Sequence, residues 1–335
     1  DGQKSNDMFG WAVALSQDGS ILAVGAPGDE GSVYTYRYDS TRNNYVQLDS
    51  PIQGSGRGSS LGLSVALSQD GSRLAVGAPY SSTNNLILNG EVLVYELRGG
   101  SWQPIGSTLA GDASVEWLGS AVDISDDGSL VVASAPRSRA TSGYFRTWAW
   151  DGETWKKAAL DVTNTMLPAY SSDRFGHSIS LSMGSDGRPR VAVGIPWKIA
   201  QGKRDAGVTL VYELVGHVWK QLGKTIAMKP ESTFIEHGNA VDLNGGILCV
   251  GLPGGGGLGG VALYQFLELE GDWVLRSEML FGDTERGFFG VTLASRRDPA
   301  TDEFTLVVGA LRGMSHDGGY VAIYDKQHEQ GNESS

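Results

Sequence analysis

A chain of 335 residues with a formal charge of −12, 48 glycines and a single cysteine excludes several classes at once. Its acidity argues against nucleic acid, whose phosphates would be repelled, and no segment approaches the ~18 consecutive apolar residues of a membrane span. Cys249, within the strand-like run Ile247-Leu248-Cys249-Val250, permits neither an intrachain disulfide nor a cysteine metal cluster and reads as a small buried hydrophobe.

The chain opens on Asp1 rather than Met, which reads as a processed or excised segment with any targeting signal out of view. The first predicted element is a phrase of short strands. Phe9-Gly10 leads into Val13-Ala14-Leu15-Ser16, an Asp18-Gly19 turn and Leu22-Ala23-Val24-Gly25-Ala26-Pro27. Asp-Gly between two apolar runs is a strong hairpin signal. The second run is apolar on both faces, as a strand inside a stacked sheet should be. Gly31-Ser32-Val33-Tyr34-Thr35-Tyr36 follows and alternates, which places a third strand nearer the surface. A fourth strand carries Tyr45.

The phrase then restarts at Leu61, Leu118, Phe175, His237 and Phe289, with spacings of 52, 57, 57, 62 and 52 residues. Its second half recurs as Gly77-Ala78-Pro79, Ser134-Ala135-Pro136, Gly194-Ile195-Pro196, Gly251-Leu252-Pro253 and Gly309-Ala310-Leu311. The fourth-strand aromatic recurs as Trp102, Trp155, Trp219 and Trp273. A fixed period means that each unit cannot bury its own apolar face and must stack on its neighbours. Four-stranded units repeated radially describe an all-β propeller. Units near 9–60, 61–117, 118–174, 175–236, 237–288 and 289–325 form one predicted domain over 1–325, followed by a polar tail over 326–335.

Phe-Gly followed by Gly-Ala-Pro resembles the FG-GAP repeat of integrin α-subunit propellers and related extracellular proteins, and the resemblance covers about residues 9–325. It implies an extracellular or cell-surface setting and a ring that usually closes with seven blades. Six units are present, and unit six passes from its third strand into the polar tail at Lys326. The expectation is six four-stranded blades with the last incomplete. The alternative is seven blades with strands supplied from outside this segment, or by an assembly partner that completes the last blade. Repeats of this type often hold calcium in Asp-x-Asp-x-Asp-Gly loops. Here Ser16-Gln17-Asp18-Gly19, Ser68-Gln69-Asp70-Gly71 and Ser125-Asp126-Asp127-Gly128 offer one or two carboxylates each, against the six to eight oxygens that Ca²⁺ takes. No cofactor is expected, and the single carboxylate cluster of the right type is Asp298, Asp302 and Glu303.

Two motifs match chemistry in letter only. Gly58-Ser59-Ser60-Leu61-Gly62 satisfies G-x-S-x-G but is the repeat's own entry into unit two, without the strand-turn-helix that a nucleophile elbow needs. Gly254-Gly255-Gly256-Gly257-Leu258-Gly259 satisfies G-x-G-x-x-G but precedes a strand, so no helix N-terminus faces a phosphate. The five histidines include no pair at metal-ligand spacing, and His237 reads as a packed residue in place of the repeat Phe. Asn332-Glu333-Ser334 is a glycosylation sequon in the tail.

Binding residues concentrate in irregular loops on a rigid scaffold. The loops joining second to third strands are irregular, at 80–89, 137–142, 197–206, 254–259 and 312–318. They share one propeller face with the connections between units, and a basic and aromatic set falls there: Tyr80, Trp117, Arg137, Arg139, Trp197, Lys198, Arg204, Arg312 and His316. The leading expectation is a non-enzymatic recognition or adhesion module that binds a protein or carbohydrate through this face, with the tryptophans as anchors. One rival is a carbohydrate-active enzyme, a lyase or glycosidase, which would need carboxylates or a Tyr/His pair converging at the channel mouth. The other is a structural subunit of a larger assembly.

Overall fold

The computed structural model describes residues 6–56, 58–138, 142–164, 173–200, 205–228, 235–254, 257–276, 279–297, 301, 303–311 and 318–326. They fold into six antiparallel sheets and no helix long enough to cross a membrane. Blade one is β1 (Ala12–Leu15), β2 (Ile21–Ala26), β3 (Ser32–Asp39) and β4 (Asn44–Gln47), with the short β5 (Ile52–Gln53) paired back onto β3. Blade two is β6 (Ser64–Leu67), β7 (Arg73–Ala78), β8 (Glu91–Arg98), β9 (Ser101–Pro104) and β10 (Leu109–Ala110). Blade three is β11 (Val122–Ile124), β12 (Leu130–Ala135), β13 (Tyr144–Trp150), β14 (Trp155–Lys157) and β15 (Val162–Thr163). Blade four is β16 (Ser178–Met183), β17 (Pro189–Ile195), β18 (Val208–Val215) and β19 (Val218–Gln221). Blade five is β20 (Val241–Asn244), β21 (Ile247–Leu252), β22 (Gly260–Leu267), β23 (Asp272–Leu275) and β24 (Leu280–Phe281). Blade six has β25 (Thr292–Arg297), β26 (Phe304–Ala310) and β27 (Tyr320–Lys326), so its outer strand is missing among the described residues. The outer strand is broken elsewhere too. In blade one, Leu48 still donates to the Thr35 carbonyl at 2.9 Å between β4 and β5, so one strand is interrupted rather than two added.

The Asp-Gly hairpins close themselves. Ser16 Oγ donates to Asp18 at 2.7 Å, accepts the Ile21 N–H at 2.9 Å, and Asp18 accepts the Ser20 N–H at 2.9 Å. Ser68 with Asp70 and Ser125 with Asp127 repeat the arrangement. These carboxylates cap their own turns.

Blades join by three devices. First, the initial residue of each unit enters the preceding blade: Leu61, Leu118, Phe175, His237 and Phe289 are all buried, at 1% exposure or less. Second, the Gly of Gly-Ala-Pro accepts the backbone of the next unit. A Cβ on Gly25 would lie 2.0 Å from the Gly62 carbonyl oxygen, so only glycine fits. Third, each outer-strand tryptophan donates its indole N–H backwards: Trp102 to Thr35 Oγ1, Trp155 to the Ile105 carbonyl, Trp219 to Thr147 Oγ1 and Trp273 to the Leu222 carbonyl. These tryptophans belong to the buried core, and each is also a bolt between blades.

All three devices fail at one place. Five hydrophobic cores join blades one to two, two to three, three to four, four to five and five to six, and none joins six to one among the described residues. Phe9 is only partly buried, a Cβ on Gly10 would meet nothing within 4 Å, and Tyr45 donates to Gly19 of its own blade. Trp11, Val13 and Leu15 on one side and Val321 and Ile323 on the other stay exposed. Six blades are present, and among the described residues the ring they form is open.

Candidate active site

The residue immediately before each unit start turns the chain from the outer edge of one blade onto the inner strand of the next. Met8, Ser60, Trp117, Arg174, Glu236 and Phe288 all hold left-handed backbone there, with φ from 54° to 61°. The residue after Gly-Ala-Pro lies on the same face, and the two sets interleave around the channel mouth. On blades two to five they form one arc. The Tyr80 ring meets Trp117 edge-on at 4.9 Å, and the Arg137 guanidinium lies over the Trp117 ring at 4.5 Å. The Arg174 guanidinium covers Trp197 at 3.6 Å, and His177 lies against Trp197 at 5.5 Å. The Trp197 indole donates to the Glu236 carboxylate.

The charges in this arc are unusual for an acidic protein. Burial lowers the Arg174 pKa and the neighbouring Arg137 adds to it; neither arginine has an acidic partner among the described residues. His177 is pushed down to about 4, first by burial and then by Arg174, so it is neutral near pH 7. Glu236 is raised by burial and by Asp205, with the Trp197 N–H opposing. The arc therefore offers two cations, two aromatic platforms, one neutral imidazole and one carboxyl that retains its proton more strongly than usual.

Of the residues expected on this face, Tyr80, Trp117, Arg137 and Trp197 come together. Lys198 does not: it is buried in an ion pair with Asp173, Nζ to Oδ2 2.8 Å, directly beneath the Arg174–Trp197 stack. Arg139, Arg204, Arg312 and His316 lie outside the described residues, as do Asp298 and Asp302; Glu303 is exposed. Sequence reasoning missed Arg174, His177 and Glu236. The signal was available, because the position before each unit start changes from Met, Ser and Phe elsewhere to Trp, Arg and Glu on three consecutive blades. Ser60 of the G-x-S-x-G match holds that same sixfold position, so its left-handed φ of 54° belongs to the repeat and not to a nucleophile elbow.

The opposite end of the channel holds a cavity of about 770 Å³, lined by Gln17, Gln69, Asp123, Asp242, Asn244 and Arg296 among others. One inner-strand position reads Ala14, Ala66, Asp123, Ser180, Asp242 and Ala294 around the ring. Each of its three polar members accepts a backbone N–H from the next blade: Asp123 from Leu181 at 2.7 Å, Ser180 from Leu243 at 3.0 Å and Asp242 from Ser295 at 2.6 Å. Burial raises Asp123 to about 7, the Leu181 and Ile124 N–H groups oppose it, and Asp242 adds to the rise. Burial raises Asp242 as well, against its bonds from Ser295.

The FG-GAP repeat family model matches residues 1–36, which is unit one through its third strand. Unit one carries this repeat, and five further blades repeat its phrase. The fold is an FG-GAP repeat propeller. None of the curated proteins matches the FG-GAP propeller. Among solved structures it is similar to the periplasmic gluconolactonase PpgL of Pseudomonas aeruginosa, at 19% identity and a TM-score of 0.58 over 97% of this chain and 86% of that one. At that identity the likeness concerns the fold. The expectation of a non-enzymatic adhesion module is corrected by this comparison, since the propeller that spans nearly the whole FG-GAP chain is that of an enzyme.

Proposed function

We propose that this propeller is a carbohydrate-active enzyme of the lyase or glycosidase type, working at the mouth lined by Trp117, Arg137, Arg174, His177, Trp197 and Glu236. One observation carries the reading: two arginine–tryptophan stacks flank a neutral imidazole and a proton-retaining carboxyl in one arc. Apolar sugar faces stack on indoles, and acid–base chemistry needs groups poised between protonation states near the working pH. A gluconolactonase of similar fold supports an enzyme on sugar-derived substrates, and its periplasmic setting together with the FG-GAP repeat supports an extracellular or periplasmic location. The test is turnover of a panel of polysaccharides and aldonolactones, followed by reducing ends, unsaturated products and proton release. Activity should fall by roughly 10²-fold or more in His177→Ala and Glu236→Gln; a panel left untouched by the native protein would sink the reading.

A second reading rests on the cavity at the other end. Asp123, held near 7, and Asp242 share that cavity as a glycosidase pair of carboxyls would. Their bonds to the next blade favour a fastening role instead. Asp123→Asn separates the two: it abolishes hydrolysis in the second reading and spares it in the first.

A further inference from the structure

Resting on the mouth as the active site, we infer that its substrate is an anionic sugar, a uronate-containing glycan, whose carboxylate lies between Arg137 and Arg174 and which is cleaved by β-elimination. The arginines are the first ground. The Arg137 charge lies close enough to lower Arg174, yet neither has an acidic partner among the described residues of a chain with net charge −12. Both guanidinium groups lie over indole rings, Arg137 at 4.5 Å from the centre of Trp117 and Arg174 at 3.6 Å from that of Trp197. A planar guanidinium fork matches a carboxylate in two parallel hydrogen bonds. An anion placed between them offsets that repulsion.

The second ground is the set of groups beside the arginines: His177, and Glu236 raised by burial and by the neighbouring Asp205, with Asp173 in an ion pair with Lys198. Elimination needs a carboxylate clamp, a base and an acid, and that set is present. Two cations on the carboxylate acidify the carbon beside it by stabilising the enediolate. His177 takes the proton from that carbon. The electron pair moves through the enediolate to form the C4–C5 double bond, the C4–O bond breaks, and the leaving oxygen takes the Glu236 proton. One proton is taken and one is given, with no external oxidant or reductant. Substrate also sets the base in order: neutralising Arg174 removes one of the two influences that hold His177 low, so the imidazole becomes more basic when substrate arrives.

The third ground is positioning. Asp173 and Lys198 flank Arg174 and Trp197 in sequence, and their buried bond at 2.8 Å fixes the two chain segments that carry the stack. The site is built from below.

The test compares trimers of galacturonate, glucuronate and mannuronate with trimers of galactose, glucose and mannose, by titration calorimetry and by ultraviolet absorbance of the unsaturated product. At least one uronate trimer should bind, its neutral counterpart should not compete, and Arg174→Gln and Arg137→Gln should each weaken the uronate roughly tenfold or more at unchanged melting temperature. Equal binding of charged and neutral trimers, or indifference to both substitutions, overturns the inference. Cleavage of a neutral trimer without an unsaturated product overturns it while leaving the enzyme reading intact. Arginine-dependent uronate binding with no cleavage of any sugar leaves carboxylate recognition standing and defeats both the elimination and the enzyme reading.

Discussion

The Asp123 carboxylate on β11 accepts the backbone N–H of Leu181 on β16 at 2.7 Å, across the boundary between blades three and four. It does so at the inner-strand position where blade four uses Ser180 and blade five uses Asp242, each toward the blade that follows. Packed apolar faces hold the outer parts of the blades together; at the channel, where water enters, hydrogen bonds from side chain to backbone take over.

That arrangement gives a pH dependence. The Asp123 pKa rises from an unfolded value of 3.8 to about 7, chiefly through burial, so the folded state binds the proton more tightly than the unfolded chain. Its contribution is fully present below about 4 and is lost as pH rises towards 7. Asp123→Asn keeps an oxygen acceptor for Leu181 and cannot ionise. Melting temperature followed from pH 4 to pH 8 should fall less steeply for Asp123→Asn than for the native protein. Parallel curves would remove Asp123 as the source.

Trp219→Ala removes both an inter-blade core residue and the bond to Thr147 Oγ1 at 3.2 Å. The expected loss is roughly 3–5 kcal/mol by denaturant unfolding, with ligand binding at the mouth unchanged. Trp219→Phe keeps most of the packing and should cost less. A loss under about 1 kcal/mol for Trp219→Ala would mean that the blades are not held by these tryptophans.

The fold was legible because it is redundant: six variants of one phrase, with Phe-Gly, Asp-Gly and Gly-Ala-Pro in its closest copies, each state the same packing problem, and Gly25 against Gly62 shows why the glycines recur. The open ring was half legible, from the missing outer strand of unit six, but Phe9 and Gly10 look like their counterparts and their exposure depends on a neighbour that sequence cannot show. Tyr80, Trp117, Arg137 and Trp197 were legible as interruptions of the repeat. Arg174 and Glu236 were legible only by comparing the position before each unit start across all six units, since each sits one residue outside the repeated phrase. Lys198 misled because a loop lysine reads as solvated, and only the spatial neighbour Asp173 reveals it as buried.

That buried pair yields its own prediction. Lys198→Met removes the cation 2.8 Å from the buried Asp173 carboxylate and should destabilise the fold by about 3–5 kcal/mol. Joining Asp173→Leu to Lys198→Met removes both charges and should recover most of the loss. A double variant no better than Lys198→Met alone would show that the pair is not coupled; the readout is a double-mutant cycle in denaturant.

His237 runs the opposite way to Asp123. It fills the unit-start position with no exposed surface, its Nδ1 lies 3.2 Å from Thr209 Oγ1, and its Nε2 lies 3.3 Å from the Tyr264 hydroxyl. Burial lowers its pKa from 6.5 to about 3, so the unfolded chain takes up a proton that the folded chain refuses. Stability from this residue is therefore full above about 6.5 and is lost as pH falls toward 3. His237→Phe installs the residue found at Phe175 and Phe289, abolishes the titration, and leaves two hydroxyls to find other partners. The variant should be equal to or slightly less stable than the native protein at pH 8, yet lose less melting temperature between pH 7 and pH 4. Because protonation of Asp123 stabilises over much of the same interval, the native curve mixes two opposed slopes, and the pair of single variants is needed to separate them. Should His237→Phe steepen the acid loss instead, the imidazole must be charged in the folded blade and the packing around Tyr264 must differ from that described here.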